Sequence, residues 1–387
     1  MDFRVEAAAA DTEEEKKFRQ EVREFLDREL TPEVIQESGV IYDRGPHLMG
    51  FSRRLGAKGW LVPHWPKEYG GLGCPSSYRR IVIEELSSRG VSGVDSSFST
   101  QIVGPMLMLR GSEEQKREYL PKIAGGEIEF ALGYTEPNAG TDLAALEMRA
   151  VPDGDDYIVN GQKVYGSYAH TSTHHWLAVR TDPNAEKHQG ISILLVDLAS
   201  PGVTIRPLYT MAGERTNEIF YDDVRVPRRN LVGRENEGWS LVREALAFER
   251  GMLGGSRGII RRSVVDELVD YAKATERNGK LLAEDPVVRQ SLAQLAIENS
   301  IRRLFGHRLA WLTGKGKGAM PEVEAAMAKV WGVELDQRIA NVGMQLLGLY
   351  GQLEPGSKQA PLEGRIEHLY RFWVHLSYGA GSHELMR

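Results

Sequence analysis

Residues 130–142 read Phe130-Ala131-Leu132-Gly133-Tyr134-Thr135-Glu136-Pro137-Asn138-Ala139-Gly140-Thr141-Asp142. A short apolar run of strand type leads into a loop with two glycines, a proline and two threonine hydroxyls. Such a loop offers backbone N–H groups, hydroxyls and a small residue at a point of close approach. It can cradle a polar planar ligand or a phosphate. Taken by itself, it also reads as an ordinary turn.

The same stretch marks a change of period. Before it the chain reads as helices. Thr12 and Glu15 have the spacing of a capping box, followed by Phe18, Val22, Phe25 and Leu26 at helical intervals and by Pro32. Ser112 with Gln115 marks a second such start. After Glu129 the runs are β-prone: Trp176–Val179, Ile191–Val196, Val203–Ile205 and Ile219–Tyr221. Asn160-Gly161 reads as a turn between two of these runs. From Glu237 helices return, with Val287–Leu312 and Glu322–Leu349 long enough for full bundle helices. The layout is α+β, with domains expected at 1–128 (helical), 129–236 (β) and 237–387 (helical).

Composition bounds the function. A chain of 387 residues has room for two or three domains. Its 48 Lys+Arg against 54 Asp+Glu give a net charge of −6, which argues against a nucleic-acid binder driven by overall charge. One cysteine, Cys74, excludes an intrachain disulfide or a cysteine-rich metal site. No apolar run approaches a membrane span, and the acidic start at Met1-Asp2-Phe3 does not resemble a signal peptide. A cytoplasmic enzyme is the expectation. No Gly-x-Gly-x-x-Gly, Walker loop or Gly-x-Ser-x-Gly elbow is present. His383-Glu384 begins a zinc-protease pattern without a second histidine. His170, His174 and His175 lack a carboxylate at fixed spacing and read as loop or surface histidines. Lys315-Gly316-Lys317-Gly318 reads as a solvated connection.

The 133–142 stretch resembles the Thr-Glu-Pro-x-Ala-Gly-Ser/Thr-Asp signature of acyl-CoA dehydrogenases. Three further stretches resemble the same family, in order: Pro66-Lys67-Glu68-Tyr69-Gly70-Gly71-Leu72-Gly73, Asn160-Gly161-Gln162-Lys163, and Phe220–Pro227 with Asn230–Gly233. The resemblance implies that family's fold: an N-terminal α-helical domain, a middle β-domain and a C-terminal four-helix bundle. It implies FAD as cofactor and α,β-dehydrogenation of an acyl-CoA thioester. In that chemistry a glutamate takes the α-proton, flavin N5 takes the β-hydride, and an electron-transfer flavoprotein is the acceptor. By position, Leu132, Tyr134 and Thr135 would meet the flavin ring, with Gly140 and Thr141 at the pyrophosphate. The family's Trp-x-Thr becomes Tyr165-Gly166-Ser167, keeping an aromatic ring and a hydroxyl. Thr141, Arg250 and Ala380 would meet the acyl-CoA, the Ala380 N–H holding the thioester oxygen.

Two departures follow. Where many members carry a late catalytic glutamate, this chain has Ala380, and Glu384 is not promoted in its place. A minority carry the base earlier, and Ala247-Phe248-Glu249-Arg250-Gly251-Met252-Leu253 matches that alternative at Glu249. A carboxylate among Phe248, Met252 and Leu253 and covered by substrate is a stronger base, an effect Arg250 opposes unless its charge points elsewhere. The adenine half of the flavin site is usually completed by a neighbouring subunit, through Arg-x-x-Phe-Gly and Gln-x-x-Gly-Gly stretches. Here they read Thr275-Glu276-Arg277-Asn278-Gly279-Lys280 and Gln345-Leu346-Leu347-Gly348-Leu349. One good half-site and one poor one point to an α₂β₂ hetero-oligomer with a second family chain, with a homotetramer as the alternative. The stretches from Tyr134 to Asp142 and Phe248 to Arg250 are similar to the base-bearing chain of heteromeric actinobacterial steroid-side-chain acyl-CoA dehydrogenases. The substrate expected on this analogy is a bulky acyl-CoA, with Gly251 and Gly254 leaving room beside the base. Two other readings stay open: a non-catalytic chain completing another chain's flavin site, and a flavin oxidase or nitroalkane-type enzyme, which would want a late base that is missing here.

Overall fold

The computed structural model describes residues 11–91, 94, 97–255, 263–315 and 321–387. The acidic start and residues 316–318 of the basic connection lie outside them. The chain divides into two compact units, Ala10–Glu249 and one built on Arg250–Arg387.

The first unit opens with six helices: α1 Glu13–Glu29, α2 Pro32–Ser38, α3 Pro46–Ala57, α4 Ser76–Ser87, α5 Gly104–Arg110 and α6 Glu113–Ala124. Both capping boxes form. Thr12 accepts from the Glu15 N–H while Glu15 accepts from the Thr12 N–H, and Ser112 and Gln115 do the same for α6. The buried stripe of α1, Phe18, Val22, Phe25 and Leu26, packs on Phe51, Leu55, Trp60, Ile81 and Val82. Beside this core the Glu85 carboxylate of α4 is buried and accepts from Arg19, Arg23 and Arg89. Burial pushes its pKa up, but the hydrogen bonds from Arg23, Arg19 and Arg89 prevail and hold it at about 2.

Eight strands follow: β1 Phe130–Gly133, β2 Arg149–Asp153, β3 Asp156–Lys163, β4 His174–Arg180, β5 Ile191–Asp197, β6 Val203–Tyr209, β7 Arg215–Pro227 and β8 Leu231–Val232. They form one mixed sheet in the order β6-β7-β3-β2-β4-β5-β8, and β1 pairs in parallel with β4. Its core gathers Ala131, Val159, Leu177, Leu194 and Ile219. The expected turn at Asn160-Gly161 instead lies inside β3, opposite a bulge in β7. Val159 pairs with Val224 and Gly161 with Tyr221, so Asn160 faces both Asp222 and Asp223, and β3 runs on to Lys163. Pairing with the 13-residue β7 on both sides of the bulge keeps Asn-Gly extended rather than reversing there. Gly161 has φ 144°, and a Cβ there would lie 2.8 Å from Met148 Cγ.

Helix α7, Gly238–Gly255, follows with Leu241, Val242, Ala245 and Phe248 buried. The second unit contains α8 Val264–Ala274, α9 Pro286–Lys315, α10 Glu322–Leu347 and α11 Arg365–Phe372. Helix α10 packs against α8, α9 and α11. Asp336 of α10 and Arg302 of α9 pair in its interior at 2.6 Å. A small hairpin, β9 Glu276–Arg277 and β10 Lys280–Leu281, turns at Asn278-Gly279 with both residues at positive φ.

The Glu85 cluster sets an acid limit to stability. Its carboxyl lies at about 2 in the fold against an ordinary 4.5. The stabilisation is therefore full above about pH 4.5 and drains away as pH falls from there towards 2. Glu85→Gln is expected to lose about 2–3 kcal/mol at pH 7 and to flatten the stability profile below pH 4.5. Urea melts at pH 7 and pH 3.5 check this; a variant running parallel to wild type at both would refute it.

Candidate active site

The loop after β1 is fixed by a buried ion pair between two of the stretches singled out in the sequence. Lys163, at the end of β3, donates from Nζ to the Tyr134 carbonyl at 3.0 Å and to Glu136 Oε1 at 2.8 Å. Glu136 also accepts from the backbone N–H groups of Glu147 and Met148 at 2.7 and 3.0 Å. Both side chains are buried. Burial pulls Lys163 down to about 8, against the opposing pull of the Glu136 carboxylate. Beneath the loop, the His175 imidazole would lie 2.6 Å from a Cβ at Gly133, so that position admits no side chain.

A second segment is tied alongside. The Val164 N–H donates to the Thr135 carbonyl at 2.9 Å. Buried Asn217 of β7 donates through Nδ2 to the Gly166 carbonyl at 2.8 Å and accepts at its own carbonyl from the Gly166 N–H. These bonds bring Leu132, Tyr134, Thr135, Tyr165 and Ser167 together. Tyr165 is 64% exposed at φ 57°, so its ring stands in the open rather than packing into the sheet. Thr135 and Ser167 are half-buried, while Gly140 and Thr141 are exposed. A Cβ at Gly140 would meet nothing within 4 Å. The result is an open ledge with one aromatic face and several hydroxyls, suited to a planar polar ring.

Tyr134 differs from its neighbours. Its phenol oxygen is fully buried, and neither it nor the buried Trp176 indole N–H beside it finds a well-directed partner among the described residues. Burial and then the nearby Glu249 carboxylate push the phenol well above its ordinary pKa, so it remains a donor. Glu249 of α7 thus stands close to the loop that carries the signature. In the second unit, the Arg250 guanidinium Nε donates to the Ala380 carbonyl at 3.0 Å. Ala380 is buried at φ 55°.

Sequence reading missed Lys163, Glu136 and Asn217 as organisers of the site. Lys163 carried a signal, a charged residue ending a β-prone run, but its partner lies 27 positions away. The three histidines have separate tasks. His174 packs on Tyr119 and Phe130, His175 contacts the Tyr221 hydroxyl at 2.5 Å, and His170 contacts Asn217. Among the described residues no His, Cys, Asp and Glu group could hold a metal, and no helix is long and apolar enough to cross a membrane.

The architecture is thus helices, a mixed sheet and further helices, with an open polar ledge carried on the sheet. Sequence profiles agree. The N-terminal, middle and C-terminal domains of acyl-CoA dehydrogenase match residues 12–127, 131–224 and 236–387. Acyl-CoA dehydrogenase FadE26 of Mycobacterium tuberculosis is 37% identical, over 97% of this chain and 95% of its own. A solved Tcur3481–Tcur3483 steroid acyl-CoA dehydrogenase superposes with TM-score 0.85 at 34% identity, covering 100% of this chain and 97% of that one. The ChsE4–ChsE5 complex from Mycobacterium tuberculosis gives 0.83 at 36% identity, covering 98% and 97%. The chain belongs to the acyl-CoA dehydrogenase family, FAD-dependent oxidoreductases of acyl-CoA thioesters. The residues present fit that cofactor: free-standing Tyr165 and the Thr135 and Ser167 hydroxyls suit an isoalloxazine ring, and the space at exposed Gly140 leaves room for the FAD pyrophosphate.

Lys163→Met leaves the Glu136 carboxylate buried without its cation. The expected cost is about 3–5 kcal/mol, with FAD lost on purification. Lys163→Met with Glu136→Leu is expected to regain most of the stability but not the FAD, since the loop loses its fastening. Melting temperature and bound flavin absorbance decide; a single variant within about 1 kcal/mol of wild type would show the pair to be dispensable.

Proposed function

We propose that this chain is the base-bearing subunit of an acyl-CoA dehydrogenase acting on a bulky acyl-CoA, with a steroid side chain as the substrate class. Glu249 is the catalytic base. The observation that carries this is its electrostatic coupling to Tyr134 within the signature loop, while the other position at which family members carry a base is occupied by Ala380. Arg250 Nε donates to the Ala380 carbonyl at 3.0 Å, so this side chain also bears on the position of the thioester anchor.

In this reading the Ala380 N–H holds the thioester oxygen, which acidifies the α-carbon by stabilising the enolate. Glu249 takes the α-proton, the α and β carbons become doubly bonded, and the β-hydrogen leaves with its electron pair. FAD, when bound, supplies the acceptor for that hydride. Leu132, Tyr134, Thr135, Tyr165 and Ser167 would hold its ring, and Gly140 and Thr141 its phosphates. Thr141 and Arg250 contribute to the acyl-CoA site. The functional segments are 1–128, 129–236 and 237–387, and an electron-transfer flavoprotein is the proposed acceptor.

The partner is a second family chain. Arg277 is committed within its own subunit, donating to the Leu346 carbonyl at 2.6 Å. Leu349, at the second glycine position of the family stretch, is 84% exposed. These two features support a poor adenine half-site and an α₂β₂ assembly over a homotetramer, and the two steroid-type and ChsE relatives above are themselves two-chain complexes by name. Ala380 favours the second reading, a non-catalytic chain that completes its partner's site.

Glu249→Gln separates the two. It is expected to retain FAD and acyl-CoA binding and to lose about 10³-fold in acyl-CoA-dependent dye reduction, measured in complex with the partner chain where one is needed. A variant as active as wild type would assign the chain to the non-catalytic role.

A further inference from the structure

Lys329 on α10 is fully buried. Its Nζ donates to the Gly381 carbonyl at 2.9 Å and to the Ser377 carbonyl at 3.3 Å. One amino group thus clasps both ends of the five-residue turn that carries Ala380. Gln337, two turns further along the same face of α10, donates to Ser377 Oγ at 2.6 Å. Arg250 takes the Ala380 carbonyl. Three side chains, Lys329, Gln337 and Arg250, therefore fix a turn whose last two residues, Ala380 and Gly381, sit at φ 55° and 96°.

We propose that Lys329 is a positioning residue for the thioester: by holding this turn, it aims the Ala380 N–H. The argument is geometric. In a helical conformation of either hand, a residue's C=O and N–H point in nearly opposite directions along the local axis. With the Ala380 carbonyl held by Arg250 and the next carbonyl held by Lys329, the Ala380 N–H is turned to the other side. A left-handed alanine costs about 1–2 kcal/mol and does not keep that shape unaided. Without the clasp, the two ends of the turn at Ser377 and Gly381 are free to relax, and the Ala380 N–H between them swings with the backbone.

This rests on the assignment of Ala380 as the thioester anchor. The test uses FAD-loaded protein, with its partner chain where required, and two ligands of one acyl chain: the enoyl-CoA product and a CoA thioether lacking the carbonyl oxygen. Wild type is expected to prefer the carbonyl-bearing ligand. Lys329→Met is expected to lose about 10-fold of that preference and about 10- to 100-fold in kcat, with thioether affinity and FAD content unchanged. A merely structural role would weaken both ligands alike. Lys329→Met with wild-type preference would overturn the proposal. Should that variant fail to retain FAD, Lys329→Gln decides: an amide reaching one carbonyl gives an intermediate preference, and an undiminished one refutes it. Glu249→Gln run in parallel separates the two ideas. If it stays active, the base assignment fails; if it is dead while Lys329→Met keeps its preference, only the role of Lys329 fails.

Discussion

The constraint on which the sheet-borne site depends is the buried pair of Lys163 and Glu136. Two charges removed from water cost several kcal/mol each unless their hydrogen-bonding capacity is filled. Here it is nearly filled. Glu136 receives Lys163 and two backbone N–H groups from the approach to β2, and Lys163 also takes the Tyr134 carbonyl. The pair therefore does more than neutralise itself. It ties the end of β3, the start of β2 and the loop after β1 to one point. Apolar residues of similar volume would fill that space, but nothing in them would set the direction of the Tyr134 peptide.

The local elements were legible in the sequence. Capping boxes at Thr12 and Ser112, the apolar periodicity of α1 and the lengths of α9 and α10 involve residues within a turn or two of each other. The β-prone runs were placed correctly but drawn short: Ile219–Tyr221 is the middle of a 13-residue strand. What was not legible is pairing at a distance. Asn160-Gly161 is a turn by local preference, and only pairing with β7 on both sides keeps it inside a strand. Nothing local marks Lys163, Asn217 and Lys329 as anchors, because their partners lie 27, 51 and 52 positions away.

The candidate site divides along the same line. Residues identified through the signature, Tyr134, Thr135, Tyr165 and Ser167, are brought together as a group by backbone bonds. The open position of the Tyr165 ring, though, depends on Asn217 holding Gly166, which no local pattern announces. Likewise Arg250 reads in sequence as a charge that opposes its neighbour's basicity. Only the structure shows its Nε donating to a carbonyl 130 positions away.

Ala380 brings these threads to one argument. A turn that holds a ligand through backbone N–H places no demand on the side chain beyond tolerating positive φ. A base on the same turn demands one particular side chain. The two demands are separable, so loss of the carboxylate at residue 380 need not disturb the anchor. The backbone there is still held in the left-handed region, where alanine has no intrinsic reason to stay. Persistence of that strained shape without a carboxylate to present points to the main chain as the functional group at this position. It also explains why a buried lysine and an arginine are both spent on neighbouring carbonyls. In the proposed mechanism the anchor stays in the backbone, which leaves the base to another position, Glu249 of α7.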